Sequence, residues 1–84
     1  MYRVIPDEAT VEQVAALPVA ALAGYLDVLS ALEVAPWTGS PHNEANPDGA
    51  VRRWAFGPDA VGHVVYLIAE DRREVHLLVV QWLR

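Results

Sequence analysis

The chain has no cysteine and no lysine, and among its 84 residues there is one methionine and one phenylalanine. The lack of cysteine excludes a disulfide framework, a thiolate zinc site and a cysteine nucleophile together. No uninterrupted apolar stretch exceeds six residues, far below the roughly 20 needed to cross a bilayer. No basic, then apolar, then small-residue leader opens the chain, so the expected setting is cytoplasmic. A Gly-rich phosphate loop, a nucleophile elbow and a paired-carboxylate signature are all missing. There is no internal repeat and no low-complexity segment.

What is present points to a folded domain. Hydrophobic residues make up 54% of the chain and charged ones 20%, so it has enough apolar surface to collapse. Its length fits one domain, residues 1–84, with a thin stability margin expected at that size. The formal net charge is −5, which argues against non-specific nucleic-acid binding, since that needs a basic field. The charge is unevenly spread. Residues 1–48 hold Arg3 against seven acids, a net of −6, whereas residues 49–84 hold five arginines against four acids, a net of +1. An anion-binding surface, if one exists, belongs on the second half.

The pattern of elements is legible. Tyr2–Ile5 is a short strand-like run ended by Pro6. Asp7 is placed to cap a helix carrying Val11, Val14, Ala15 and Leu17, and Pro18 ends it or begins the next. A second helix over residues 19–33 gathers Leu22, Tyr25, Leu26, Leu29 and Leu32 on one face, with Gly24 marking close packing of the two helices. Residues 36–50 hold three prolines and two glycines, the composition of a loop, with Trp37 as its expected anchor to the core. Strands then follow at Val51–Phe56, Gly62–Glu70 and Glu74–Leu83, separated by turns at Gly57-Pro58-Asp59 and Asp71-Arg72-Arg73. The expected fold is α+β in the order β-α-α-β-β-β, an antiparallel sheet with a helical hairpin on one side. Both sheet faces read as largely apolar, so one is expected to meet the helices and the other a partner or a second copy, the basis for a homodimer.

Alternation along the strands sorts the candidates for chemistry. His63, Val65 and Leu67 oppose Val64, Tyr66 and Ile68; Arg52, Trp54 and Phe56 oppose Val51, Arg53 and Ala55; His76, Leu78, Val80, Trp82 and Arg84 oppose Val75, Leu77, Val79, Gln81 and Leu83. The three histidines, at 42, 63 and 76, match no metal-ligand spacing, so no metal or cofactor is expected. His63 has the side-chain type for proton transfer near neutral pH, or it simply sits beside His76 on a neighbouring strand. Arg52 and Arg53 beside Trp54 suit a phosphate grip and base stacking, or Trp54 is core and one arginine faces water.

The element order, with Tyr2-Arg3-Val4, the Leu22…Leu29…Leu32…Pro36-Trp37 helix ending, Arg52-Arg53, Gly62–Ile68 and Val75–Val80, resembles the RelE/ParE toxin superfamily of bacterial type II toxin–antitoxin modules. The Pro-Trp-x-Gly-x-Pro loop and the Gln81-Trp82-Leu83 ending look like its actinobacterial RelE-like branch. That resemblance implies a toxin neutralised by a cognate antitoxin. RelE-like members are mRNA endoribonucleases (mRNA interferases) that act on the ribosome without a metal and inhibit translation. By that analogy His63, Arg52, Arg53 and Arg84 are the expected catalytic residues, with the arginines on phosphate and His63 moving a proton. No residue here matches the family's C-terminal tyrosine. Two alternatives stand beside this: a ParE-like non-nuclease toxin of DNA gyrase, and a non-toxic partner-binding relative.

Overall fold

Asp7 and Thr10 start the first helix by bonding each other's backbone. The Asp7 carboxylate accepts from the Thr10 N–H at 2.8 Å, and the Thr10 hydroxyl accepts from the Asp7 N–H at 2.9 Å. Two donors left over by the helix geometry are satisfied this way. The computed structural model describes residues 1–83, so the expected phosphate contact Arg84 lies outside the described residues. Strand β1 (Arg3–Ile5) leads to α1 (Glu8–Ala15), and Pro18 separates α1 from α2 (Val19–Val34). A two-residue strand, β2 (Ser40–Pro41), precedes β3 (Val51–Phe56), β4 (Gly62–Ala69) and β5 (Glu74–Trp82).

The class is α+β as expected, but the sheet is not wholly antiparallel. Its order is β1-β5-β4-β3-β2, and β1 lies parallel to β5 while the remaining pairs are antiparallel. The chain leaves β1 through both helices before entering the meander, so β1 joins the edge that β5 presents last. The Tyr2 N–H donates to the Glu33 carbonyl at 2.8 Å, which ties the start of β1 to the end of α2.

One face of the sheet carries the core. Val64, Tyr66 and Ile68 of β4, Val75, Leu77 and Val80 of β5, and Phe56 of β3 are buried against Ala21, Tyr25, Val28 and Leu32 of α2, with Val14 and Leu17 packed alongside. Strict alternation fails on β5. Val65 pairs with Val79 and Tyr66 with Leu77, so Leu78 is an extra, unpaired residue. This bulge resets the phase: Val75 and Leu77 face the core before it, Val80 and Trp82 after it. The expected grouping of His76, Leu78, Val80 and Trp82 on one face is therefore corrected.

Two readings of α2 change as well. Leu22 and Leu26 are 36% and 58% exposed, because the sheet is met by the Ala21–Tyr25–Val28–Leu32 side. A Cβ on Gly24 would stand 3.3 Å from the Phe56 ring and 3.6 Å from the Gly57 nitrogen, so this glycine admits the end of β3 and not the other helix. The short strands leave edges that other groups fill. Beyond His76, where β1 has ended, the Val80 N–H donates to the Gln13 side-chain oxygen at 2.8 Å. Helix α1 packs against β5.

Candidate functional site

The face opposite the helices is the candidate site. Register fixes its members: Val51 pairs with Leu67, Arg53 with Val65 and Ala55 with His63; on the other side of β4, Leu67 pairs with His76, Val65 with Val79 and His63 with Gln81. Ile5 of β1 extends the row beyond His76. Ile5, Val51, Val65, Leu67, Leu78 and Val79 form an apolar field outside the core. Leu67 and Leu78 are 36% and 38% exposed.

Arg52 and Arg53 are separated by the pleat. Arg53 shares the open face with His63, one register step away, and neither side chain makes a hydrogen bond or ion pair among the described residues. A cleft of about 190 Å³ beside Arg53 is lined by Thr38, Gly39, Ser40, Trp54 and Ala55. Arg52 points to the helix side, opposite Tyr66. Its guanidinium donates to the carbonyls of Gly49 (3.1 Å), Gly39 (3.0 Å) and Pro47 (2.8 Å), with a longer contact to Trp37 (3.5 Å). It also lies 5.2 Å from the centroid of the Trp37 ring. These partners occupy the fork, which leaves Arg52 as a clamp on the 36–50 segment.

Tyr66 completes that clamp. Its buried hydroxyl donates to the Pro36 carbonyl at 2.7 Å, and desolvation pushes its pKa up to about 12. Pro36 is buried while Trp37 is 39% exposed, so Trp37 braces the surface and does not anchor in the core. Trp54 does pack against the core, which removes it from the open face as a stacking platform. His63 and His76 lie on neighbouring strands but are not paired; they sit opposite Gln81 and Leu67.

A second polar group was invisible in the sequence. Glu70 accepts from the Tyr2 hydroxyl at 2.5 Å and the Trp37 indole N–H at 2.6 Å on one oxygen, and from Arg73 at 2.6 Å on the other. Arg73 also stacks 4.4 Å from the centroid of Tyr2. These bonds, from Tyr2 first and then Trp37 and Arg73, hold the Glu70 carboxyl down to about 2. Nearby, Glu74 is held below its ordinary range by His76 and then Arg3, which both reach its carboxylate. No spacing rule brings residues 2, 37, 70 and 73 together; the return of the last hairpin to β1 and the tie of β1 to the end of α2 do.

The linkage has a definite sign. A carboxyl depressed in the folded state adds stability above its unfolded pKa and loses it as pH falls through the folded one. From about pH 4.5 down to about 2, the Glu70 contribution should therefore disappear. The expected result is a fall in the urea midpoint across that window, with a shallower slope in Glu70→Gln; an identical slope would show that Glu70 is not held by its partners.

Among the described residues, no group of three His, Cys, Asp or Glu side chains is placed to hold a metal, and no helix is long and apolar enough to cross a membrane. Comparison with protein-family models, with curated proteins and with solved structures found no match. No relative assigns the chain a role.

Proposed function

We propose that this protein is a toxin of a toxin–antitoxin pair, as its resemblance to the RelE/ParE superfamily implies, and that it acts by binding a protein target across the open face of its sheet. The observation that carries the reading is the make-up of that face. Six aliphatic side chains form its centre, and Arg53 is its one uncommitted guanidinium among the described residues, since Arg3 is paired with Glu74. An exposed apolar field of this kind marks a protein contact. RNA binding draws on several phosphate contacts, and a net charge of −5 opposes it. Arg52, expected on phosphate, has its donors taken up by carbonyls.

A second reading, mRNA cleavage, is favoured by one specific observation. Arg53, which lines a cleft of phosphate size, and His63, paired with the cleft residue Ala55, present uncommitted side chains on the same face. There Arg53 would neutralise charge on the reacting phosphate, and His63 would take or give the proton.

Induced expression in a bacterial host separates the two. On the binding reading, wild type arrests growth, Leu67→Glu abolishes the arrest, and the double variant Arg53→Ala/His63→Ala retains it without new mRNA ends. Arrest lost in the double variant, with mapped cleavage ends in the wild type, would replace the binding reading by the nuclease one. Soluble protein without any arrest would leave a non-toxic partner-binding relative.

A further inference from the structure

The open sheet face is not the only apolar surface left uncovered. On α2, Val19 is 85% exposed, Leu26 58% and Leu22 36%, and Leu29 is half-buried. Their spacing is 3, 4 and 3, the seam of a heptad pattern. The side of α2 that meets the sheet uses Ala21, Tyr25, Val28 and Leu32, with Leu29 packed against the core at its margin, so Val19, Leu22 and Leu26 form an apolar flank that nothing in the fold covers. Beside the exposed seam stand Ala23 and Ser30, small enough for another backbone to come close. From Val19 to Leu29 the seam rises about 15 Å, and Glu33 occupies its next position.

Charge selects the occupant. Residues 7–35 carry Asp7, Glu8, Glu12, Asp27 and Glu33 and no arginine or lysine. A second copy of α2 would bring two more acids, Asp27 and Glu33, and no basic residue to pair with them, and an anionic lipid surface would be repelled by the same field. A helix with apolar residues at heptad positions and arginine or lysine beside them would instead match both the seam and the field. We infer that the exposed seam of α2 is a docking site for a basic amphipathic helix of another protein. This surface lies on the helix side of the molecule, away from the open sheet face, so the inference stands independently of the target-binding reading.

The test uses the whole chain and a synthetic helical peptide of about three heptads. The peptide carries leucine at a and d, and arginine, lysine and alanine elsewhere. A second peptide has glutamate in place of every basic residue, and binding is followed by calorimetry at low and high salt. The basic peptide should bind at least about tenfold more tightly than the acidic one, and salt should weaken it. Leu22→Ser/Leu26→Ser should lower its affinity about tenfold or more while the variant stays folded with a modestly lower melting temperature, because Leu26 is largely exposed, Leu22 partly so, and serine is the weaker helix former. Asp27→Asn/Glu33→Gln, which removes two of the five acids, should lower the salt dependence while the seam remains. Equal binding of the two peptides would overturn the inference. So would undiminished binding to the Leu22/Leu26 variant, which would mean diffuse attraction to an acidic surface. A wild-type dimer in sedimentation that the Leu22/Leu26 variant converts to monomer would also overturn it, in favour of a second copy; capture by anionic vesicles through the same leucines would do so in favour of a membrane.

Discussion

Replacing Arg52 with alanine lowers stability by about 2–3 kcal/mol, whereas Arg53→Ala stays within about 0.5 kcal/mol of wild type. The contrast follows from the pleat. Arg52 donates to the carbonyls of Gly39, Pro47 and Gly49, three points spread along a segment with little regular structure of its own. Removing it strips these carbonyls of a charged donor and lets the 36–50 segment loosen as a unit. Some of those carbonyls would regain water, which keeps the expected loss below the sum of three separate bonds. Arg53, exposed and without partners among the described residues, has nothing comparable to lose. In a domain of this size the Arg52 loss corresponds to a melting temperature lower by roughly 10–20 °C. Arg52→Lys should recover little of it, since an ammonium cannot reproduce the planar fork. Thermal and urea unfolding of the three variants checks this; equal stability of Arg52→Ala and Arg53→Ala would remove the clamp.

Gly39→Ala should cost about 2–3 kcal/mol, at the upper end of overpacking penalties. A Cβ at residue 39 would stand 1.9 Å from the Tyr66 hydroxyl oxygen and 3.0 Å from the Arg53 carbonyl oxygen. The hydroxyl cannot step aside without giving up its buried bond to Pro36. Tyr66→Phe alone should lose about 1–2 kcal/mol, because the Pro36 carbonyl is then left without its donor. Combined, the two changes should cost less than their sum, since the phenylalanine ring has no oxygen in the way. The 3.0 Å approach of ring carbon Cζ keeps the relief incomplete. Urea unfolding of the four proteins in a double-mutant cycle reads the coupling directly. Strict additivity would mean that residue 39 and Tyr66 do not meet.

Much of this architecture was legible because local signals agreed with the fold. Pro6, Asp7 and Pro18 punctuate the first half where β1, α1 and α2 meet. The three long strands lie close to where β-branched runs and turn residues set them. The parallel pairing of β1 was not legible, since three residues, Arg3–Ile5, carry no mark of their partner. The bulge at Leu78 was hidden for another reason: His76, Leu78, Val80 and Trp82 read as regular alternation, and only pairing with β4 shows the lost phase. The α2 face was misjudged because leucines surround the helix, so a stripe drawn through Leu22 and Leu26 looks as good as the one through Ala21 and Val28. For the candidate site, the sequence supplied His63 and Arg53 but not the difference between Arg53 and its neighbour. Two adjacent arginines look interchangeable in a string of letters. A pleated strand sends one to each side.

The margins of the sheet bear on what the protein does at high concentration. One margin is β1, three residues long, and beyond it the Gln13 amide occupies the Val80 N–H. The other is β2, two residues long and ending in a proline that has no N–H to offer. Neither offers a long row of free backbone groups on which further chains could stack edge to edge into fibrils. Association of this molecule should therefore proceed through its faces and stop at a defined stoichiometry, and not grow by strand addition.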